Sequence, residues 1–253
     1  MNSFRQKLKE IKKYVNKDFM RIKLDSNEII LRIVDTNDDT VDLLYDLREK
    51  YSNMFATDFE MTKEKTKEWI EKYILENTER ILFMIYVNER EIGCIGNGGF
   101  DEKNNSSQLD NMMKDPTFKI PGIMTIVEKV YLKWMFDCFE LSKIVGYLFS
   151  DNEIMMNVHK KCGWVLIDTV PVKKVFHEEG IRWEEILDDS GLPKLNALYD
   201  SSSPVTANYP PVRRKGIQND SNNQIAERYF NIIELTRKNL MKNFTKIKYE
   251  INM

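Results

Sequence analysis

Cysteine and histidine are scarce in this chain, whose 253 residues include three cysteines and two histidines. Cys94, Cys138 and Cys162 show no CxxC spacing, and with so few histidines a zinc site is not expected. A small, odd number of cysteines is typical of a reducing compartment, in which thiols stay unpaired and buried. We therefore expect no metal and a cytoplasmic protein.

Long apolar runs and a strong excess of one charge are missing too. No apolar run approaches the ~20 residues that a membrane-spanning helix needs, and the N-terminus shows no apolar core of an export signal. The formal net charge of −2 gives no electrostatic reason to expect a nucleic acid. We therefore expect neither a membrane nor a nucleic acid as a partner.

What the chain does contain is typical of a globular protein. Apolar residues make up 42% of it, which supplies a sizeable core at this length. A hairpin followed by alternating strands and helices predicts a mixed α/β sheet with helices on both faces. Periodicity predicts helices at 3–17, 41–51, 69–74, 123–138 and 152–162, and strands at 29–34, 80–87, 92–100, 107–113, 143–149 and 164–170.

Residues 184–253 differ in character from the part before them. Stretches rich in Ser, Pro and Asn predict loops, and an apolar periodicity predicts a terminal helix over 224–242. We expect a main domain over 1–183 and an extension over 184–253, made of a loop and a helix that pack on the domain. The apolar faces of the two terminal helices could also pair with a second copy, so a homo-oligomer is a further expectation.

A loop rich in Pro and Gly opens the predicted helix at 123–138. It reads Lys119-Ile120-Pro121-Gly122-Ile123-Met124-Thr125. Free backbone N–H groups and the positive end of the helix dipole make such a turn an anion site, although a purely structural turn has the same sequence. Polar residues of this helix fall mostly opposite its apolar stripe and are predicted to face outwards: Glu128, Lys129, Lys133 and Asp137.

A second motif follows about thirty residues later. Asn152 is well suited to cap the short helix at 152–162, and Gly163 is suited to end it. The element order and the two motifs together resemble the GCN5-related N-acetyltransferase (GNAT) superfamily, whose members use acyl-coenzyme A. The resemblance covers about residues 29–176 and implies the GNAT fold, with a largely antiparallel sheet that splays apart at the cofactor cleft.

The resemblance assigns the loop to the pyrophosphate of acyl-CoA. The family pattern Q/R-x-x-G-x-G/A aligns with Lys119-x-x-Gly122-x-Met124. Lys119 replaces one long donor with another, whereas Met124 replaces a small residue and must either crowd the pyrophosphate or turn into the core. The resemblance implies that the backbone N–H groups of Ile120 and of residues 122–125 bind the pyrophosphate, together with the Thr125 hydroxyl. Pro121 belongs to the same implied site but has no backbone N–H to donate.

The second motif is implied to hold the rest of the cofactor. Asn152 would bind the pantetheine arm, and backbone groups of Met112 and Met113 would pair with its amides as an added strand. His159 stands where the family has a tyrosine that protonates the thiolate, and an imidazolium can donate that proton near neutral pH. The alternative for His159 is a surface histidine near a helix C-terminus.

The acceptor is implied to be an amine that loses a proton as it attacks the thioester. Asp110 and Asp151 are candidate bases: Asp110 could bind the ammonium group and relay its proton through water, and Asp151 is also expected to contact the substrate. Solvent could equally take the proton. In the extension, Tyr209, Arg213 and Arg214 would suit a nucleotide diphosphate, with the base stacked on the tyrosine. The alternative is a solvated charge run on a loop.

The expected function is therefore transfer of an acyl group, from acetyl-CoA or 3-hydroxybutyryl-CoA, to a small amine. The layout is similar to that of GNAT enzymes that acylate dTDP-linked amino sugars, and this is our expectation for the acceptor. Two alternatives are a GNAT enzyme that acetylates a protein N-terminus or ribosomal protein, and a non-catalytic module that binds acyl-CoA.

Overall fold

The computed structural model describes residues 3–58, 60–177, 180–187, 228–244 and 247–252. These residues form six α-helices and eleven strands. The helices are α1 (Phe4–Ile11), α2 (Asp38–Lys50), α3 (Lys63–Trp69), α4 (Ile123–Phe139), α5 (Glu153–Cys162) and α6 (Arg237–Asn243). The strands are β1 (Asp18–Leu24), β2 (Asn27–Ile33), β3 (Thr57–Asp58), β4 (Ile81–Val87), β5 (Arg90–Asp101), β6 (Ser106–Lys114), β7 (Lys143–Phe149), β8 (Val165–His177), β9 (Gly180–Glu185), β10 (Arg228–Thr236) and β11 (Lys248–Ile251).

The strands form a single mixed sheet, in the order β11-β1-β2-β4-β5-β6-β7-β10-β8-β9-β3. Among the described strands, β6 and β7 are the one parallel pair, and they are joined only between 106–108 and 143–145. Beyond those three residue pairs the two strands separate. The expected splayed, largely antiparallel sheet is therefore confirmed, and the gap between β6 and β7 is where a ligand can enter.

Two apolar clusters cover the two faces of the sheet, which confirms helices on both sides. One contains residues of α1 and α4 with the central strands, and the other contains residues of α2. Val127, Val130 and Tyr131 on the predicted stripe of α4 are fully buried. The outward placement of Glu128 and Lys129 is wrong, because α4 also packs against α5 and α6 and so is covered on more than one side.

The expected terminal helix over 224–242 is also wrong in most of its length. Residues 228–236 form β10, which lies inside the sheet between β7 and β8, and only Arg237–Asn243 are helical. Asn231, Ile233 and Leu235 are buried with partly buried residues between them. That alternation has the period of a strand, and pairing on both edges satisfies the backbone in a way that a surface helix would not.

The N-terminal helix is shorter than predicted and is followed by a strand that the sequence pattern did not reveal. α1 ends at Ile11, a short 3-10 segment runs to Tyr14, and β1 begins at Asp18. β1 pairs with both β2 and β11. The first residues therefore extend the sheet as well as covering one face of it.

Candidate functional site

A cavity of about 690 Å³ fills the gap where β6 and β7 separate. That volume is in the range of small-molecule sites. Its walls come from the diverging parts of the two strands, the first turns of α4 and α5, and the ends of β9 and β10. The cavity therefore lies where the two sequence motifs were expected to meet.

The N-terminus of α4 at this cavity has no side-chain cap. Gly122 precedes the helix with φ +76°, and no described side chain accepts from its first turn. The other five α-helices of the described residues each have a capping side chain, from Ser3, Asn37, Thr62, Asn152 and Thr236. The amides that open α4 are thus left for a ligand, and an anion is the ligand that such a site prefers.

The predicted pyrophosphate loop is brought to the cavity in part. Ile120 and residues 122–125 line it, whereas Lys119 and Pro121 are exposed and do not line it. The side chain of Met124 is buried in the main apolar cluster. Of the two alternatives for this residue, the structure has the one in which the methionine turns into the core.

Met112 and Met113 lie on β6 at the open edge. Their side chains belong to the two different apolar clusters, on opposite faces of the sheet, so the backbone between them lies in the plane of the sheet and borders the gap. A bulge at Asn111, with φ +50°, precedes them. The Tyr51 hydroxyl donates to the carbonyl of Lys114 at 2.9 Å and helps to hold this edge.

Asn152 caps α5 at the cavity. Its Oδ1 accepts from the backbone N–H of Met155 at 3.2 Å, while its Nδ2 makes no hydrogen bond within the described residues. One side chain can therefore fix the first turn of α5 and still donate to a ligand in the cavity.

His159 is buried in the cavity wall, with 5% of its surface exposed. Its Nδ1 lies 2.7 Å from Oε1 of Glu128, and the indole N–H of Trp164 donates to the same oxygen at 2.7 Å. The surface-histidine alternative is therefore wrong. Sequence reasoning missed Glu128, since no spacing rule links two residues on different helices.

The cysteine thiols near the sheet and cavity stay protonated. Burial raises the pKa of Cys94 to about 12. Burial also raises the pKa of Cys138, and burial together with the neighbouring Glu128 raises that of Cys162. Because a thiol attacks as its thiolate, none of the three suits a covalent acyl intermediate at neutral pH.

The two candidate carboxylates are both in ion pairs. Asp110 lines the cavity, and its Oδ2 lies 2.6 Å from Nη1 of Arg80. Asp151 is paired with Arg228 at 2.7 Å and does not line the cavity. The structure thus brings Asp110, but not Asp151, to the site.

Aromatic rings form the end of the cavity nearest β9 and β10. The Phe149 ring lies 4.6 Å from Phe230 and 5.4 Å from Trp183, centroid to centroid. The guanidinium of Arg228 stacks on Phe149 at 3.5 Å. Sequence reasoning missed Trp183 because it had no strand at 180–185, and Phe230 because it had none at 228–236. The expected ligands Tyr209, Arg213 and Arg214 lie outside the described residues.

Two further findings concern metals and membranes. No group of three or more His, Cys, Asp or Glu in the described part of the chain could hold a metal ion. No helix in these same ranges is both long enough and apolar enough to cross a membrane.

Comparison with known proteins agrees with this geometry. In structure the chain is similar to the spermidine N-acetyltransferase from Vibrio cholerae in complex with CoA and spermine, with a TM-score of 0.56, 10% identity and coverage of 84% of this chain and 98% of the other. It is also similar to a phenylalanine-to-alanine mutant of the spermidine N-acetyltransferase from Vibrio cholerae, with a TM-score of 0.55, 11% identity and coverage of 83% of this chain and 96% of the other. No curated protein matches the sequence. The profile of the acetyltransferase (GNAT) domain matches residues 28–165, more than half of the chain, and the chain therefore belongs to the GNAT acetyltransferase family.

Proposed function

We propose that this protein is an acyl-CoA-dependent N-acyltransferase that moves an acyl group to a small amine by direct attack. The observation that carries the proposal is the uncapped N-terminus of α4, which opens into the gap between β6 and β7. A site of this kind takes the pyrophosphate of a nucleotide-type cofactor.

The residues around the gap fit acyl-CoA along its length. The first-turn amides of α4 would bind the pyrophosphate, with Lys119 as an exposed cation nearby. The β6 backbone at Met112 and Met113 would pair with the pantetheine amides, and Nδ2 of Asn152 would donate to the same arm. In this arrangement the thioester would lie near His159, where Met112 and Met155 offer an apolar lining for the acyl chain.

The reaction needs one proton to leave nitrogen and one to reach sulfur. The amine nitrogen attacks the carbonyl carbon, the C–S bond breaks, and sulfur leaves with the bonding electron pair. His159, as an imidazolium, passes a proton from Nε2 to that sulfur. The proton of the attacking nitrogen goes to Asp110 through water or directly to solvent. Because the cysteine thiols stay protonated, the proposed reaction includes no covalent acyl intermediate on a cysteine.

The acceptor that we propose is a nucleotide-linked amino sugar. Trp183 and Phe230, which are half-buried and line the cavity, offer aromatic faces on which a base or a hexose can stack. Tyr209, Arg213 and Arg214 are the proposed contacts for the nucleotide and its diphosphate. Spermidine and spermine are the alternative acceptors to compare, because structurally similar proteins act on or bind them.

Thiol release tests the proposal. The purified full-length chain would be given acetyl-CoA, butyryl-CoA or 3-hydroxybutyryl-CoA, each with dTDP-amino sugars, spermidine, spermine or an N-terminal peptide. Release that depends on a dTDP-amino sugar is expected. Release with polyamines or the peptide alone would overturn the acceptor, and no release with any pair would overturn the activity.

A further inference from the structure

The polar contacts at His159 converge on one buried carboxyl group. Glu128 is fully buried, and its Oε1 has both His159 Nδ1 and Trp164 Nε1 at 2.7 Å. Its Oε2 is also buried and accepts no hydrogen bond from an N–H or O–H group of the described residues, and the Cys162 thiol lies beside the same carboxyl group. A buried carboxyl group is costly even when it is partly hydrogen-bonded. An apolar side chain would fill this part of the wall without that cost, so the carboxyl group calls for a role.

The contact determines which nitrogen of His159 can work. When Glu128 accepts from Nδ1–H, the neutral ring has its lone pair on Nε2, and the charged ring has its second proton there. Nε2 makes no hydrogen bond within the described residues, and the ring lines the cavity. His177 shows the opposite arrangement, with its Nε2 2.6 Å from Glu184 at the surface.

We propose that Glu128 is the positioning residue for His159. It accepts a hydrogen bond from Nδ1–H, holds the ring with Nε2 as the working nitrogen, and stabilises the imidazolium that donates to the departing sulfur. The inference rests on the proposed function, since Glu128 has this task only if His159 acts on the sulfur. The logic is that of a carboxylate that orients a catalytic histidine in other enzymes.

The proton balance is simple. As the C–S bond breaks, the N–H bond at Nε2 breaks and an S–H bond forms, which leaves a neutral ring whose Nδ1–H still points at Glu128. The ring is charged again by a proton from solvent, while the proton of the attacking nitrogen leaves through Asp110 or directly to solvent as described above. Glu128 gains and loses no proton over the cycle.

Imidazole ¹⁵N resonances of the full-length protein test the geometry without any substrate. The chain has only two histidines, and His177→Asn assigns the second signal. At a pH where the rings are neutral, His159 is expected to show a protonated Nδ1 and an unprotonated Nε2, the reverse of His177. An unprotonated Nδ1 on His159 would overturn the proposal.

A double-mutant cycle tests the function of the contact. Glu128→Gln keeps the size of the side chain and loses its charge, so kcat is expected to fall about 10–100-fold with the KM for acyl-CoA unchanged. His159→Asn keeps a donor near Nδ1 but removes Nε2. In that background Glu128→Gln is expected to cost nothing more. An equal loss in both backgrounds would show a merely structural carboxyl and would overturn the proposal.

Glu91→Gln is the matched control. Glu91 is also a partly hidden carboxyl bound by neighbours, Thr40 at 2.8 Å and Tyr86, but it does not line the cavity. Its kcat is expected to stay within about twofold. The two failures are separable: absent thiol release overturns the proposed function while the ¹⁵N result still stands, and a reversed tautomer overturns only the role of Glu128.

Discussion

The two helices that begin at the cleft present different groups to it. α4 begins after Gly122, with φ +76° and no capping side chain among the described residues, whereas α5 begins after Asn152, which caps it. Thus α4 offers bare backbone amides, and α5 offers side chains, Asn152 at its start and His159 two turns on. The contrast suggests a division of labour, in which the backbone amides that open α4 set affinity for the pyrophosphate of the cofactor and His159 on α5 sets turnover. The predictions below separate these two effects.

The largest effect is expected at His159 on α5. His159→Asn removes the nitrogen that donates to sulfur, and loss of such a donor costs about 100-fold or more in rate. The dissociation constant for CoA should change little, because the pyrophosphate contacts are on α4. Steady-state kinetics and calorimetric titration of CoA would measure the two quantities. A large loss of affinity for CoA with an unchanged kcat would contradict the assignment of His159 to turnover.

A pair of glycine substitutions separates folding from binding. A Cβ at Gly163 would lie 2.5 Å from the carbonyl oxygen of Asn239, and its φ is +99°. We expect Gly163→Ala to cost about 3 kcal/mol, a fall in Tm of roughly 6–12 °C. Thermal unfolding measures it, and a change under 1 °C would contradict the packing of α5 on α6.

Gly122→Ala is the other member of the pair. Within the described residues, no heavy atom other than those of its chain neighbours lies within 4 Å of a Cβ at Gly122, so backbone strain is what opposes the change. An alanine in the left-handed region is strained by about 1–2 kcal/mol. Relaxation of that strain would rotate the first amides of α4 away from the ligand, and the affinity for CoA should fall about tenfold. Pantetheine, which lacks the pyrophosphate, should bind the variant as it binds the wild type. An equal loss of affinity for CoA and for pantetheine would show that the anion site is not at the N-terminus of α4.

Asn152→Ala should affect both stability and binding by a smaller amount. Loss of the cap costs about 1 kcal/mol, and loss of Nδ2 weakens the pantetheine arm. In this variant the affinities for CoA and for pantetheine should fall by the same factor, in contrast to Gly122→Ala. If only CoA weakens, Asn152 acts on the phosphates and the assignment to pantetheine is wrong.

The smallest effect is expected at Cys162, which packs on α4 from α5. Its raised pKa keeps the thiol protonated, so Cys162→Ala should leave kcat within about threefold. Initial rates with both substrates varied should give intersecting lines, as direct attack requires. Parallel lines, lost together with Cys162, would indicate a covalent acyl intermediate.

The sequence predicted the part of the fold that local patterns encode. β7 was expected at 143–149 and is found there, and α5 lies between the predicted caps Asn152 and Gly163. Both have a strong local signal: a short apolar run for the strand, and a capping residue and a C-terminal glycine for the helix. The gap between β6 and β7 followed from the family resemblance, since nothing in either strand alone says where their pairing stops.

What the sequence did not reveal depends on contacts between distant segments. Ile232, Ile233 and Leu235 fit a helix stripe as well as a strand, and only pairing with β7 and β8 selects the strand. Glu128 fits the outer face of a helix until α5 covers it and brings His159 and Trp164 to its carboxyl group. The aromatic end of the cavity was missed for the same reason, because Phe230 and Trp183 reach it only through the sheet order.

Amide resonances of the full-length, ¹⁵N-labelled protein test the central claim most directly. On titration with CoA, the backbone N–H groups of Ile123, Met124 and Thr125 should show the largest shifts, because the pyrophosphate would hydrogen-bond to them. Pantetheine should leave these three amides in place while it shifts those of Met112 and Met113. If CoA leaves the first turn of α4 unperturbed, the uncapped helix is not the cofactor's anion site and the account fails.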